Sequence, residues 1–312
     1  MALDKGYFKV VSTGRFTPEG VLSNKDLEKI VDTTDDWITS RTGIKERRIV
    51  NGKNTSDLAA LAAMNAIEKV NYDKDKIDLI IVATFTPELR SPSMACRVQA
   101  KLGLEKPGVL AFDINAACTG FIFGLNIAER MLHSGSYKSA LVIGAEVISK
   151  FTDYKDRNTC VLFGDGAGAA IIEKDETKEV IFNVQTKRDD ELILYVDDYV
   201  KMDGSKVYQF ASRVIHSSIN GVLEHGNIPK SKVKKIIPHQ ANIRIIQSAS
   251  KALKIPMESF FINIHKYGNT SAASIPIALD EMLEEETIKP DDKVLLVGFG
   301  AGLTSGACSL TF

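Results

Sequence analysis

Two stretches of the chain run through the same order of elements, and that repetition restricts the fold more than any other feature. In the first half, the helix pattern SDLAALAAMNAIEKV, capped by Thr55 or Ser56, leads to an apolar run at Leu79 to Ala83. The helix pattern CTGFIFGLNIAERMLHS then precedes a second run at Ala140 to Gly144. The second half repeats this with ASRVIHSSINGVLEH, a run at Lys235 to Ile237 ending in Pro238, TSAASIPIALDEMLEEE, and a run at Val294 to Val297. Short apolar runs bounded by turn signals are strands buried on both faces, and helices between them belong on the faces of mostly parallel sheets. The chain is therefore an α/β protein made of two duplicated halves, residues 1–172 and 173–312, divided where EKDETKEV and TKRDDEL raise the charge density. One continuous layered core is expected.

Composition restricts function mainly by exclusion. A formal net charge of −1 leaves no global basic field for nucleic acid. No segment reaches the roughly 18 uncharged apolar residues of a membrane span, and MALDKGYFKVVSTG does not read as a signal peptide, so a cytoplasmic location is expected. The four cysteines, Cys96, Cys118, Cys160 and Cys308, have no CxxC spacing and form neither a disulfide framework nor a metal knuckle. Their chemistry is that of single thiols.

Cys118 lies between the strand-like DIN and a long apolar helix, flanked by the small residues Ala116, Ala117, Thr119 and Gly120. At a helix start, unpaired N–H groups and the dipole stabilise a thiolate, although an inert buried cysteine fits the same residues. His239 follows an apolar strand, at the end where open α/β sheets build sites; a structural histidine is the other reading. His133, His216, His225 and His265 have no comparable strand-end position. Asn269 precedes the helix corresponding to the one opened by Cys118, where it serves as a cap or faces the same pocket across a pseudo-twofold axis. GFGAGL at Gly298 to Leu303 either presents N–H groups to an oxyanion or forms a tight turn. GDGAGAA lacks the order of a nucleotide phosphate loop.

Together DDWITSRTGIKERRI, AACTGF, LFGDGAGAA, PHQANIRI, YGNTSAAS and GFGAGLTSG resemble, in order and over nearly the whole chain, the β-ketoacyl-acyl carrier protein synthase III family of the thiolase-like condensing enzymes. The resemblance implies a thiolase-like five-layered αβαβα fold, a homodimer, and initiation of fatty acid synthesis by decarboxylative Claisen condensation of an acyl-CoA with malonyl-acyl carrier protein. It implies Cys118 as the nucleophile that carries the acyl group, with His239 and Asn269 stabilising the enolate. The backbone N–H groups of Cys118 and Ala301 would form the oxyanion hole, alanine standing where glycine is common. Neither metal nor cofactor is implied.

Trp37 and Arg157 resemble the pair that sandwiches the adenine of coenzyme A, and Arg41 a contact to its phosphates. Arg244 and Lys251, seven residues apart on one helical pattern, resemble the face that docks the acidic carrier protein. Ser91 stands where some relatives place a bulky aromatic in the partner's acyl pocket, so the expected primer is acetyl-CoA or a somewhat larger acyl-CoA. Gln209 replaces a basic carrier contact of some members, and the segment from Glu173 to Val200 is shorter and more charged than usual, so it does not identify its wall of the substrate tunnel. Hydroxymethylglutaryl-CoA synthase and type III polyketide synthase share the fold, but PHQAN and YGNTSAAS favour the ketoacyl synthase. A cysteine hydrolase would release free acid, and an acyl-binding protein would form no acyl-enzyme.

Overall fold

The computed structural model of the protein describes residues 2–286 and 288–312. The first half runs β1 (Ala2–Phe16), β2 (Gly20–Ser23), α1 (Asn24–Leu27), α2 (Asp35–Thr42), β3 (Glu46–Ile49), α3 (Thr55–Lys69), β4 (Leu79–Ala83), α4 (Met94–Lys101), β5 (Leu110–Ile114), α5 (Gly120–His133) and β6 (Ser139–Glu146). A long strand, β7 (Gly166–Thr186), then carries the chain into β8 (Leu194–Val196), β9 (Val200–Met202), α6 (Gly204–His225), β10 (Val233–Pro238), α7 (Ile243–Leu253), α8 (Ile264–Tyr267), α9 (Ser274–Glu285), β11 (Lys293–Gly300) and β12 (Thr304–Thr311). Each apolar run named above forms the centre of a strand.

These elements stack as five layers. Leu58 and Ala62 of α3 and Val98 of α4 cover one face of the β4–β6–β7 sheet through Ile80, Val82 and Ile143. In the middle layer, Phe121 and Leu125 of α5 and Ile275 and Leu279 of α9 fill the space between Ile81, Phe182 and Leu296. Ile215 and Ile219 of α6, with Ile245 and Ile246 of α7, close the far side over Leu295 and Val297. Each such buried side chain contributes on the order of 1.5–3 kcal/mol. This is the thiolase-like αβαβα arrangement, and the duplication is visible as α5 and α9 sharing its central layer.

The sheets are mixed, contrary to the expectation of mostly parallel pairing. β4 runs parallel to β5 and β6, and β10 parallel to β11, but β1, β7 and β12 all pair antiparallel. The short connection from Gly300 to Thr304 allows β12 to return only as a hairpin partner of β11. β7 passes through residues 172 and 173 without interruption, pairing with β6 before them and with β12 after them. The charged EKDETKEV segment forms a register shift against β1, between Tyr7 and Phe8, at the point where the strand changes partner. Residues 173–186 therefore complete a strand, and the remainder of the segment supplies the β8–β9 hairpin.

The cap of α3 also differs from expectation. Asn54 occupies the capping position, with its N–H donating to Asp57 Oδ2 at 2.8 Å, and Thr55 and Ser56 lie inside the helix. Their hydroxyls face inward, toward Thr86 and Glu88.

Candidate active site

The site forms where the two central helices begin. Cys118 lies in a single 3-10 turn, Ala117–Thr119, that leads directly into α5. The matching turn, Ser271–Ala273, leads into α9. Aligning the two turns sets the repeat register: Cys118 corresponds to Ala272, and Asn269 to Asn115. Both asparagines make the same local bond, Asn115 Oδ1 accepting from the Ala117 N–H at 3.2 Å and Asn269 Oδ1 from the Ser271 N–H at 2.8 Å. Asn269 thus precedes the helix that matches the one after Cys118, as expected, but it lies three residues before the position equivalent to Cys118.

Cys118, His239, Asn269 and Ala301 line one cavity of about 330 Å³. The cysteine is 8 %, the histidine 1 % and the asparagine 7 % exposed. His239 continues β10 by one step, its N–H donating to Val297 O at 2.7 Å. Its ring meets Phe299 edge-on, the centroids 5.3 Å apart. Nδ1 lies 2.6 Å from Ser274 Oγ, the first residue of α9. Because the Gln240 N–H approaches that same Oγ at 3.5 Å, the serine hydroxyl is free to donate to Nδ1. With the serine as the donor to Nδ1, the ring carries its N–H on Nε2. Burial pushes the imidazole pKa from 6.5 down to about 3, so the ring is neutral.

Asn269 bridges to Phe163, donating its N–H to Leu162 O at 2.8 Å and accepting from the Gly164 N–H at 3.0 Å. Gly268 makes this approach possible: its φ is +65°, and a Cβ there would lie 2.8 Å from Leu162 O. Behind the same loop, the buried Arg47 guanidinium donates to Leu22 O, Asn24 Oδ1 and Val161 O, each at 2.9 Å. The GIKERRI, LFGDGAG and YGNTS segments are thus parts of one support for Asn269. Because its Oδ1 is occupied by Ser271, the Asn269 amide presents Nδ2 donors to the cavity.

The turn after β11 lies directly against the thiol. A Cβ on Gly300 would come within 2.8 Å of Cys118 N and 3.2 Å of Cys118 Cβ. Thus GFGAGL is a tight turn between strands and also a wall of the site. The thiol itself is not depressed as the helix start suggested. Burial pushes it up to about 12, the Glu146 carboxyl adds to the rise, and the nearby Ser271 hydroxyl opposes it. Desolvation outweighs the helix start here, and the resting group is a neutral thiol.

The remaining lining is largely apolar and includes Phe85, Phe151, Leu194, Val200, Met202 and Phe210. The β8–β9 hairpin supplies part of this wall, which the sequence left unidentified. Tyr208 also lines the cavity, and the Arg244 guanidinium lies over its ring at 5.9 Å. Lys251 shares the exposed side of α7 with Arg244. Gln209 lies on α6, next to Tyr208 and outside the cavity lining.

Trp37, Arg41 and Arg157 come together outside the cavity, with the guanidiniums of Arg157 and Arg41 lying 5.0 Å and 5.9 Å from the indole centroid. Gly43, which ends α2, packs on Ile243 at the start of α7, next to Asn242 and Ile245 of the cavity wall. Ser91 is exposed and does not line this chain's cavity. Asn115, Glu146, Ser271 and Ser274 were not singled out from the sequence. The parallel between NAAC and NTSA could have revealed Asn115 and Ser271, whereas the buried Glu146 and Ser274 have no local signature.

Residues 112–190 match the family model described as 3-oxoacyl-(acyl-carrier-protein) synthase III, and residues 223–312 match its C-terminal model. The chain is 52% identical to a beta-ketoacyl-(acyl-carrier-protein) synthase III of Acholeplasma laidlawii, with 97% of each chain covered. It is 47% identical to the one of Clostridium acetobutylicum, over 97% of this chain and 98% of that one. Among solved structures, the 3-oxoacyl-(acyl-carrier-protein) synthase III of Aquifex aeolicus superposes with a TM-score of 0.94 at 47% identity, over 98% of this chain and 100% of that one.

Proposed function

The chain belongs to the 3-oxoacyl-(acyl-carrier-protein) synthase III family, and from that premise we propose that it is a condensing acyltransferase initiating fatty acid synthesis, with Cys118 as its nucleophile and His239 and Asn269 as its enolate-stabilising pair. The convergence of these three side chains on one largely apolar cavity carries the residue assignment.

In the first step, Cys118 Sγ attacks the carbonyl of an acyl-CoA. The carbon–sulfur bond to coenzyme A breaks, the acyl group passes to the cysteine, and the thiol proton ends on the departing CoA. The backbone N–H groups of Cys118 and Ala301 stabilise the oxyanion. In the second step, malonyl-acyl carrier protein loses carbon dioxide, and the enolate oxygen receives hydrogen bonds from His239 Nε2 and Asn269 Nδ2. The enolate carbon attacks the acyl-cysteine to give a 3-oxoacyl product. These groups supply the nucleophile and donors of both steps, so the reading invokes no metal or cofactor.

Trp37, Arg157 and Arg41 form the coenzyme A site. Truncating Trp37 or Arg157 to alanine is expected to raise KM for acyl-CoA roughly tenfold with little change in kcat, because the adenine would lose stacking outside the reacting cavity. Steady-state kinetics at saturating malonyl-acyl carrier protein would measure this. Arg244 and Lys251 form the docking face for the acidic carrier protein.

β5, at one end of the combined sheet, has Ala111, Phe112 and Ile114 only half buried. A second copy pairing along that edge would cover them, and we read the enzyme as a homodimer on this basis, with the cytoplasmic location carried over from the sequence expectation. Ser91 then belongs to the partner's pocket and enlarges it. The division into 1–172, bearing the cysteine, and 173–312, bearing the histidine and asparagine, marks two catalytic halves joined through β7.

Incubation with acyl-CoA and malonyl-acyl carrier protein, followed by mass spectrometry of protein and products, tests the reading. An acylated Cys118 peptide and a 3-oxoacyl-carrier product are expected. Free acid without a new carbon–carbon bond would indicate a hydrolase instead.

A further inference from the structure

A buried acid stands behind the thiol, and the two-step chemistry leaves it without an assigned task. Glu146 is the last residue of β6 and has no solvent exposure. Gly144, two residues earlier on the same face of the strand, packs against the backbone of Ala272 and Ala273. The carboxyl therefore faces the turn that begins α9. Oε2 is the better-occupied oxygen, accepting from Thr86 Oγ1 at 2.7 Å, Thr84 Oγ1 at 3.0 Å and the Phe85 N–H at 3.2 Å. Among the described residues Oε1 has only a long contact, from the Phe85 N–H at 3.4 Å, and so is free to carry a proton.

Ser271 belongs to the Ser271–Ala273 turn, which packs both against β6, the strand that carries Glu146, and against the turn that carries Cys118. Its hydroxyl lies close enough to Cys118 and Glu146 to favour the ionised form of each. Yet Ser271 Oγ is buried and, among the described residues, has no hydrogen-bond partner of good geometry. A φ of +50° holds the residue in place, a conformation that serine seldom adopts. A buried hydroxyl in the cavity wall beside a nucleophile is placed to form a bond during the reaction.

We infer that Glu146 and Ser271 form a proton relay that reprotonates Cys118 when the condensation step expels it. The inference rests on the condensing reaction proposed above. When the enolate carbon bonds to the acyl carbon, the carbon–sulfur bond breaks and its electron pair stays on Sγ as a thiolate. The Ser271 O–H passes its proton to Sγ and takes the Glu146 proton in exchange. The carboxylate that remains is held by Thr84, Thr86 and the Phe85 N–H, and water entering after product release restores its proton.

The energetics agree with that direction. Burial pushes Glu146 from 4.5 up to about 8, so it holds a proton at neutral pH, and the higher pKa of Cys118 makes the transfer to sulfur downhill. Of the titratable groups around Glu146, Cys118 faces it from the turn before α5 and His239 lies across the cavity. Glu88 on the neighbouring loop is paired with Arg97 of α4 at 2.8 Å. Thr55 of α3 reaches only Thr86.

Single-turnover measurements would resolve the two steps, with CoA release reporting acylation and 3-oxoacyl product reporting condensation, from about pH 6 to about pH 9.5. In the wild-type enzyme, condensation is expected to fall as pH rises through about 8, because Glu146 loses its proton. Glu146→Gln preserves the shape of the side chain, and Ser271→Ala places alanine in a turn whose counterpart, Ala117, already has φ +46°. Both variants should acylate within about twofold of wild type, condense about 10²-fold more slowly, and lose the decline near pH 8. If Glu146→Gln does not fold, Ser271→Ala decides alone. Wild-type condensation with an unchanged pH profile in the variants would overturn the relay, as would a matching loss of acylation. A wild-type enzyme that makes no 3-oxoacyl product would overturn the proposed function instead.

Discussion

Replacing Cys118 by alanine is expected to abolish the acyl-enzyme and lower 3-oxoacyl product formation by at least about 10³-fold, while leaving the fold intact. The cavity explains both halves of this expectation. A buried thiol exchanged for a methyl group leaves a void worth only about 1 kcal/mol, and Cys118 makes no bond on which the turn before α5 depends. The turn is held from its two ends, by the Thr119 N–H on Ala116 O at 3.2 Å and by Asn115 on the Ala117 N–H. Meanwhile His239 keeps its bond to Ser274, and Asn269 keeps its bond to Ser271. If His239 and Asn269 stabilise the enolate as proposed, the variant should still release carbon dioxide from malonyl-acyl carrier protein without forming a carbon–carbon bond. Intact-protein mass spectrometry and carbon dioxide release measure the two outcomes. Undiminished condensation in Cys118→Ala would remove the cysteine from the mechanism.

The central strands were legible because they are buried on both faces. Leu79 to Ala83 coincides with β4 residue for residue. β12 escaped notice although all its residues are buried, because TSGACSLT fills tight spaces with small and polar side chains and so lacks an apolar run. β1 escaped for the opposite reason, since KGYFKVVSTG mixes exposed and buried positions along one of the longest strands. Pairing direction depends on connections between distant segments, and no local pattern announces that β7 will join both sheets.

The site was partly legible for a similar reason. Cys118, His239 and Asn269 each stand at the end of a strand or the start of a helix, and such junctions leave a trace in sequence. Their supporting groups do not. Ser274 determines the tautomer of a histidine 35 residues away, and Glu146 gathers two threonines from a loop about 60 residues earlier. The thiol environment was misread because a helix start is visible in sequence, whereas burial is a property of the assembled layers.

Truncating Asn269 or His239 to alanine is expected to lower condensation by about 10²- to 10³-fold each while leaving acylation of Cys118 within a fewfold of wild type. The argument is geometric. Ser271 occupies Asn269 Oδ1 and Ser274 occupies His239 Nδ1, so each residue has only N–H donors to offer the cavity. An enolate oxygen needs such donors, whereas in the proposed mechanism attack by the thiol uses a separate oxyanion site, the N–H groups of Cys118 and Ala301. Because two donors share one oxygen, the double variant should lose far less than the product of the single losses. The neutral state of His239 adds a second check. With its pKa pushed down to about 3, the imidazole does not titrate through its ordinary value of 6.5, so condensation should show no acid limb there. Rapid-quench measurement of condensation alone, after acylation is complete, isolates the quantity. An acid limb near 6.5 that vanished in His239→Ala would show instead that the ring charges during turnover and transfers a proton, making it an acid–base catalyst rather than a fixed donor.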